Sequence, residues 1–120
     1  MRRQVLRCIV SVAAAVLVAC GEAPATEPLA RGRQVYQALE CARCHQIAGQ
    51  GASIGPELTR IGNVAEERQP GAALDYLRRS LEDPGAYVVP GYPDAMPRGL
   101  VRGLSAAELE ALVAYLAAQR

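Results

Sequence analysis

The chain has 120 residues, the length of one domain, and 51% of them are apolar although Phe and Trp are both absent. Its formal net charge is +1, and all 13 basic residues are Arg. With no basic run or stripe, the composition gives nucleic-acid binding no support. The aromatics are Tyr36, Tyr76, Tyr87, Tyr92 and Tyr115. A domain this small buries a modest share of its surface, so its core must come from Leu, Val and Ala on helices or from the bulk of a bound group.

In chain order, MRRQVLR (1–7) is basic and CIVSVAAAVLVA (8–19) is apolar. The apolar run is shorter than the roughly 20 residues a membrane span needs and has the length and flanks of a secretory signal. It ends in Leu17-Val18-Ala19-Cys20, which resembles a bacterial lipobox, where cleavage precedes the cysteine and its thiol carries diacylglycerol. The expectation is a lipoprotein-type signal peptide over 1–19, a lipidated Cys20, a tether over 20–28 and a domain over 29–120. The domain would then sit lipid-anchored on the periplasmic side of a bacterial membrane. Ordinary cleavage near Ala23-Pro24-Ala25, or an uncut tilted anchor from Val5, would also export it. After cleavage, ten Arg stand against twelve Asp and Glu, a net charge of −2, and Cys41 and Cys44 are the remaining unmodified thiols.

The spacing of the mature region predicts an all-α fold with three main helices and long loops. The first helix spans about 29–39, with Leu29, Gly32, Val35, Tyr36 and Leu39 on one face. The second spans about 72–82, with Leu74, Leu77 and Leu81 as its stripe and Pro84 closing it. The third opens on Ser105-Ala-Ala-Glu108, a capping box, with Leu104 and Leu109 as a hydrophobic staple. Its apolar face is Leu109, Leu112, Val113 and Leu116. Two segments rich in Gly and Pro, 46–71 and 83–104, read as loops. Loops that long in a compact domain usually serve function.

Residues 41–45, Cys-Ala-Arg-Cys-His, carry the chemistry. Cys-x-x-Cys-His is the attachment pattern of c-type haem. Two thiols on one turn can each add to a haem vinyl group, and the following imidazole is held where it can ligate the iron. A structural zinc site needs four ligands, and only carboxylates could complete one here. A redox dithiol wants a βαβ context that the pattern lacks. A disulfide across two intervening residues would close a small loop and restrain little; it remains an alternative in an exported chain.

His45 is the one histidine, and Met96 is the one methionine after Met1. A second histidine ligand from this chain is therefore excluded. Met96 lies in Gly91-Tyr-Pro-Asp-Ala-Met96-Pro97, a loop setting without the apolar spacing of a core methionine. Met/His is a ligand pair of electron-transfer haems and raises the reduction potential. The alternative is a loop methionine that caps the core.

Together these motifs resemble a class I (mitochondrial-type) monohaem cytochrome c domain over about residues 29–119. Gly32-x-x-x-Tyr36 matches the first-helix glycine and aromatic, and Leu112-x-x-Tyr115-Leu116 matches the C-terminal helix that crosses it. Gly55-Pro56-x-Leu58 matches the loop whose proline carbonyl accepts from the proximal histidine. Met96-Pro97 matches the distal-ligand motif. Residues 75–97 also resemble small cytochrome domains of terminal oxidases, nitric oxide reductases and related complexes. The resemblance implies one covalent haem c on Cys41 and Cys44, with His45 proximal and Met96 distal. It implies single-electron transfer between respiratory partners, by a tethered carrier or an electron-transfer subunit, not an enzyme by itself. A haem-based gas sensor is the alternative. Redox proteins and a membrane, through the lipid anchor, are the expected partners. The lysine ring of the soluble mitochondrial carrier is missing, so its docking rules do not transfer. Tyr76, Tyr92, Arg60 and Asn63 are polar candidates for the haem propionates, with ordinary packing roles as the alternative.

Overall fold

The computed structural model describes residues 27–120. The expected signal segment and Cys20 lie outside these. Four α-helices follow in order: α1 (Pro28–Ala38), α2 (Ile61–Arg68), α3 (Ala73–Glu82) and α4 (Ala106–Ala117). A single 3-10 turn, Cys41–Arg43, follows α1. The described residues contain no strand beyond one isolated Ile47–Gln50 bridge.

The all-α expectation holds, with one helix more than the spacing showed. α2 lies inside the segment read as loop. It has eight residues and no side-chain cap at Arg60, too few for a helix to stand alone in water. Tertiary contact holds it instead: Ile61, Gly62 and Ala65 are buried, and Gly62 N–H donates to the Gln119 carbonyl at 2.8 Å.

Local chemistry starts α1 and α4. α1 begins at the last residue of the expected tether. The Glu27 side chain caps it, accepting from the N–H groups of Leu29 and Ala30 at 3.0 and 2.8 Å, with Pro28 at the first helical position. The capping box of α4 forms in both directions. The Ser105 hydroxyl accepts from Glu108 N–H at 3.3 Å, and Glu108 Oε2 accepts from Ser105 N–H at 2.9 Å. The Ser105 N–H first, and then the Ser105 hydroxyl at 2.8 Å, hold the Glu108 carboxyl below its usual range.

The core gathers Val35 and Tyr36 from α1, Ile61 and Ala65 from α2, Leu77 and Leu81 from α3, Val101 from the last loop, and Leu112, Val113 and Leu116 from α4. Two expected core residues are outside it: Leu29 and Leu74 are 42% and 51% exposed. Each stands in the first turn of its helix. Helical spacing marks a face but not how much of it is covered.

α1 and α4 cross in close contact. A Cβ at Gly32 would overlap the Ala111 carbonyl oxygen and come within 2.6 Å of Tyr115 Cβ. Beside the crossing, the Tyr36 and Tyr115 rings pack tilted at 5.6 Å between centroids, and Arg31 bonds Glu108 at 2.9 Å. Arg78 of α3 forks onto Glu110 of α4 at 2.9 and 2.8 Å. These exposed pairs align helices more than they stabilise them.

The crossing makes Gly32 sensitive. Gly32→Ala should cost about 1–3 kcal/mol of unfolding free energy, read by denaturant titration. Gly103→Ala, with open space around its Cβ position, should stay near the parent value.

Candidate haem site

α1 delivers the site. After Ala38 the chain turns at Leu39 and at Glu40, which is left-handed with φ 54°. The Cys44 and His45 N–H groups both donate to the Cys41 carbonyl, at 3.1 and 3.0 Å. Both thiols and the imidazole therefore belong to one tight turn anchored at the end of α1.

The next loop folds back along that turn. Ala48 and Gly49 have positive φ, and Ile47 and Gln50 exchange backbone hydrogen bonds at 3.0 Å. Three further backbone bonds attach the returning strand of loop: Ala52 N–H to Ala42 O at 2.9 Å, Gly55 N–H to Cys44 O at 2.7 Å, and Leu58 N–H to Gln46 O at 2.8 Å. They carry Pro56 to the histidine, whose Nδ1 lies 2.7 Å from the Pro56 carbonyl oxygen. A carbonyl only accepts, so Nδ1 carries the proton, and the neutral ring keeps its lone pair on Nε2. Gly55 leaves the space this needs: a Cβ there would stand 2.6 Å from the imidazole Cε1 and 2.9 Å from Nδ1.

Cys41 and Cys44 are both free thiols and half-buried. Burial first, and then the neighbouring Cys44, push the Cys41 pKa up to about 11, against a backbone hydrogen bond that lowers it. At neutral pH it is a thiol, whereas redox-active cysteines in Cys-x-x-Cys pairs have depressed values. Among the described residues no three His, Cys, Asp or Glu side chains gather as a metal cluster, so the zinc donor set is not assembled. Tyr36 lies close enough to Cys41 to feel its charge. Burial first, then Cys41 and Tyr115, raise its pKa to about 12. Its hydroxyl is buried with no hydrogen-bond partner among the described residues.

Met96 is half-buried and packs against the core cluster. Its loop is a succession of tight turns, closed by Ala86 N–H to Asp83 O at 2.9 Å, Tyr92 N–H to Val89 O at 3.1 Å and Ala95 N–H to Pro93 O at 2.9 Å. Pro84 and Val101, both buried, fasten its two ends.

Two of the propionate candidates have protein partners. The Tyr76 hydroxyl accepts from Arg68, whose guanidinium lies over the Tyr76 and Tyr87 rings at 5.6 and 5.4 Å. This cluster lines a surface groove of about 350 Å³ with Gln69, Arg79, Ser80 and Ala86. Asn63 Oδ1 accepts from Arg120 at 3.4 Å. Arg60 and Tyr92 are exposed. Sequence reasoning missed Arg98, which bonds Asp94 across Met96 at 2.7 Å. The Asp-x-x-x-Arg spacing was its only signal, and that spacing is informative only on a helix.

The donor set fits a haem c. It offers two free thiols and an imidazole with a free Nε2 on one turn, with a glycine clearing the ring. The helical frame, the turn and the Pro56 hydrogen bond define an electron-transfer cytochrome. The chain belongs to the cytochrome c family, whose pattern matches residues 29–119. It is also similar to cytochrome c oxidase subunit 2 of Alkalihalophilus pseudofirmus, at 35% identity over 101 residues. That match covers 76% of this chain and 26% of the relative, so the chain spans about a quarter of that protein's length.

Gly55→Ala should push the imidazole off the Pro56 carbonyl. The expected result is an altered Soret spectrum and a loss of about 1–3 kcal/mol in holo-protein stability. Ser53→Ala, at an exposed position of the same loop, should change neither.

Proposed function

We propose that this chain is a monohaem c-type cytochrome passing single electrons between respiratory partners, as a membrane-tethered carrier or the electron-transfer subunit of a larger complex. The observation that carries it is the 2.7 Å contact of His45 Nδ1 with the Pro56 carbonyl. It leaves Nε2 as a ligand on the same turn as two free thiols.

In this reading Cys41 and Cys44 would hold one haem covalently, through two thioethers. A bound haem supplies an iron that cycles between ferric and ferrous states. His45 Nε2 is the proximal donor, and the Pro56 hydrogen bond fixes its tautomer and strengthens it as a base. Met96 Sδ is the distal donor; a thioether favours ferrous iron and raises the potential. Ligation by both His45 and Met96 would leave the iron no position for dioxygen, which favours outer-sphere electron transfer over catalysis.

The similarity to an oxidase subunit supports a place in a terminal-oxidase or related respiratory complex. Among the described residues no helix is long and apolar enough to cross a membrane. Attachment in this proposal comes from lipid on Cys20, with residues up to about 28 as a short tether that limits the domain's reach.

Met96→Ala should abolish the red methionine–ferric absorption band and lower the potential. An unchanged band and potential would remove Met96 from the ligand set. The parent ferrous protein should not bind carbon monoxide; ready binding would favour the gas-sensor alternative.

A further inference from the structure

Arg98 stands at a junction of the Met96 loop. Its Nη2 bonds Asp94 Oδ2 at 2.7 Å, so an ion pair brackets Met96 with one partner two residues before it and one two residues after. The same guanidinium lies against Gly85, where a Cβ would overlap Nη2 and come within 3.2 Å of Cζ. Asp83, just past the end of α3, adds attraction to the same charge. One side chain thus joins the start of the loop, at Asp83 to Gly85, to the segment on both sides of Met96. The chain between 86 and 93 is exposed apart from Val88 and Val89, which are half-buried. Among the described residues, the ion pairs formed by this loop reduce to the one at Asp94 and Arg98.

We propose that Arg98 is a positioning residue: its contacts with Asp94 and Gly85 hold the Met96 loop closed and set how readily the distal thioether leaves. This rests on the reading of Met96 as distal ligand. The side chains of Arg98 and Asp94 are 56% and 47% exposed, so salt screens the pair and loosens the loop. Gly85 is needed because any larger residue displaces the guanidinium.

The test uses the matured, haem-loaded full chain in its ferric form at about pH 8, where free imidazole is neutral. At saturating imidazole, the rate of ligand exchange is the rate at which methionine leaves. Arg98→Gln and Asp94→Asn should each raise that rate about fivefold. The double variant should gain no more than Arg98→Gln alone, because the Asp94 change removes a contact that the Arg98 change already removes. Arg98→Lys should fall between parent and Arg98→Gln. Added salt should speed the parent and leave Arg98→Gln flat. An Arg98→Gln rate equal to the parent, or a parent rate indifferent to salt, overturns the inference. Met96→Ala separates the two readings. If it loses the red band while Arg98→Gln exchanges at the parent rate, only the positioning role fails. If it keeps the band, the ligand reading fails and the positioning role falls with it.

Discussion

At Gly32 the backbone of α1 comes so close to the Ala111 carbonyl that no side chain fits between them. The site depends on that approach. α1 ends six residues later, and the Cys41–His45 turn starts three residues beyond. The direction in which α1 crosses α4 therefore sets where both thiols and the imidazole stand. The rest of the core reinforces the crossing: Leu112 and Val113 are fully buried beneath it, and α2 and α3 pack on the same cluster. Two close glycine contacts brace α4, since Gly62 meets the Ala117 carbonyl much as Gly32 meets that of Ala111. The absence of Phe and Trp suits this arrangement, because small and β-branched residues let helices approach closely.

The site is built almost wholly from backbone. Loop 46–58 is held to the turn by main-chain bonds, and the partner of the imidazole is a carbonyl. Side-chain identity matters at few points: the two thiols, the ring, the thioether, and the glycines that make room. In the proposed reading the protein's own contribution to electron transfer is mostly rigidity. His45 is fixed by a hydrogen bond and by crowding against Gly55, whereas Met96 sits on a surface loop of turns. The two proposed ligands are thus held with different firmness. A surface loop of turns, whose one side-chain ion pair is exposed, opens more readily than a core helix would.

Much of this was legible in the sequence because it is local. The capping box at Ser105 needs only a hydroxyl and a carboxylate three residues apart. The CARCH pentapeptide needs only spacing, and uniqueness made His45 and Met96 conspicuous. What failed to show was tertiary. α2 has no cap of its own and exists because its buried face is covered. Leu29 and Leu74 obey helical spacing, yet each stands exposed in the first turn of its helix. The Pro56 contact could be expected only by resemblance, since it joins residues eleven apart through a main-chain oxygen. Nothing in the spacing showed that Arg98 would meet Gly85, because that contact depends on where the loop returns.

The central claim is that Cys41 and Cys44 hold one haem through thioether bonds that survive unfolding. The most direct test is the intact mass of the matured protein after denaturation and acid–acetone extraction, conditions that strip non-covalent haem. The account predicts a single species, heavier than the polypeptide by one haem and reduced to the polypeptide mass only when both cysteines are replaced. A parent chain that emerges at its polypeptide mass, or with a Cys41–Cys44 disulfide, would contradict it.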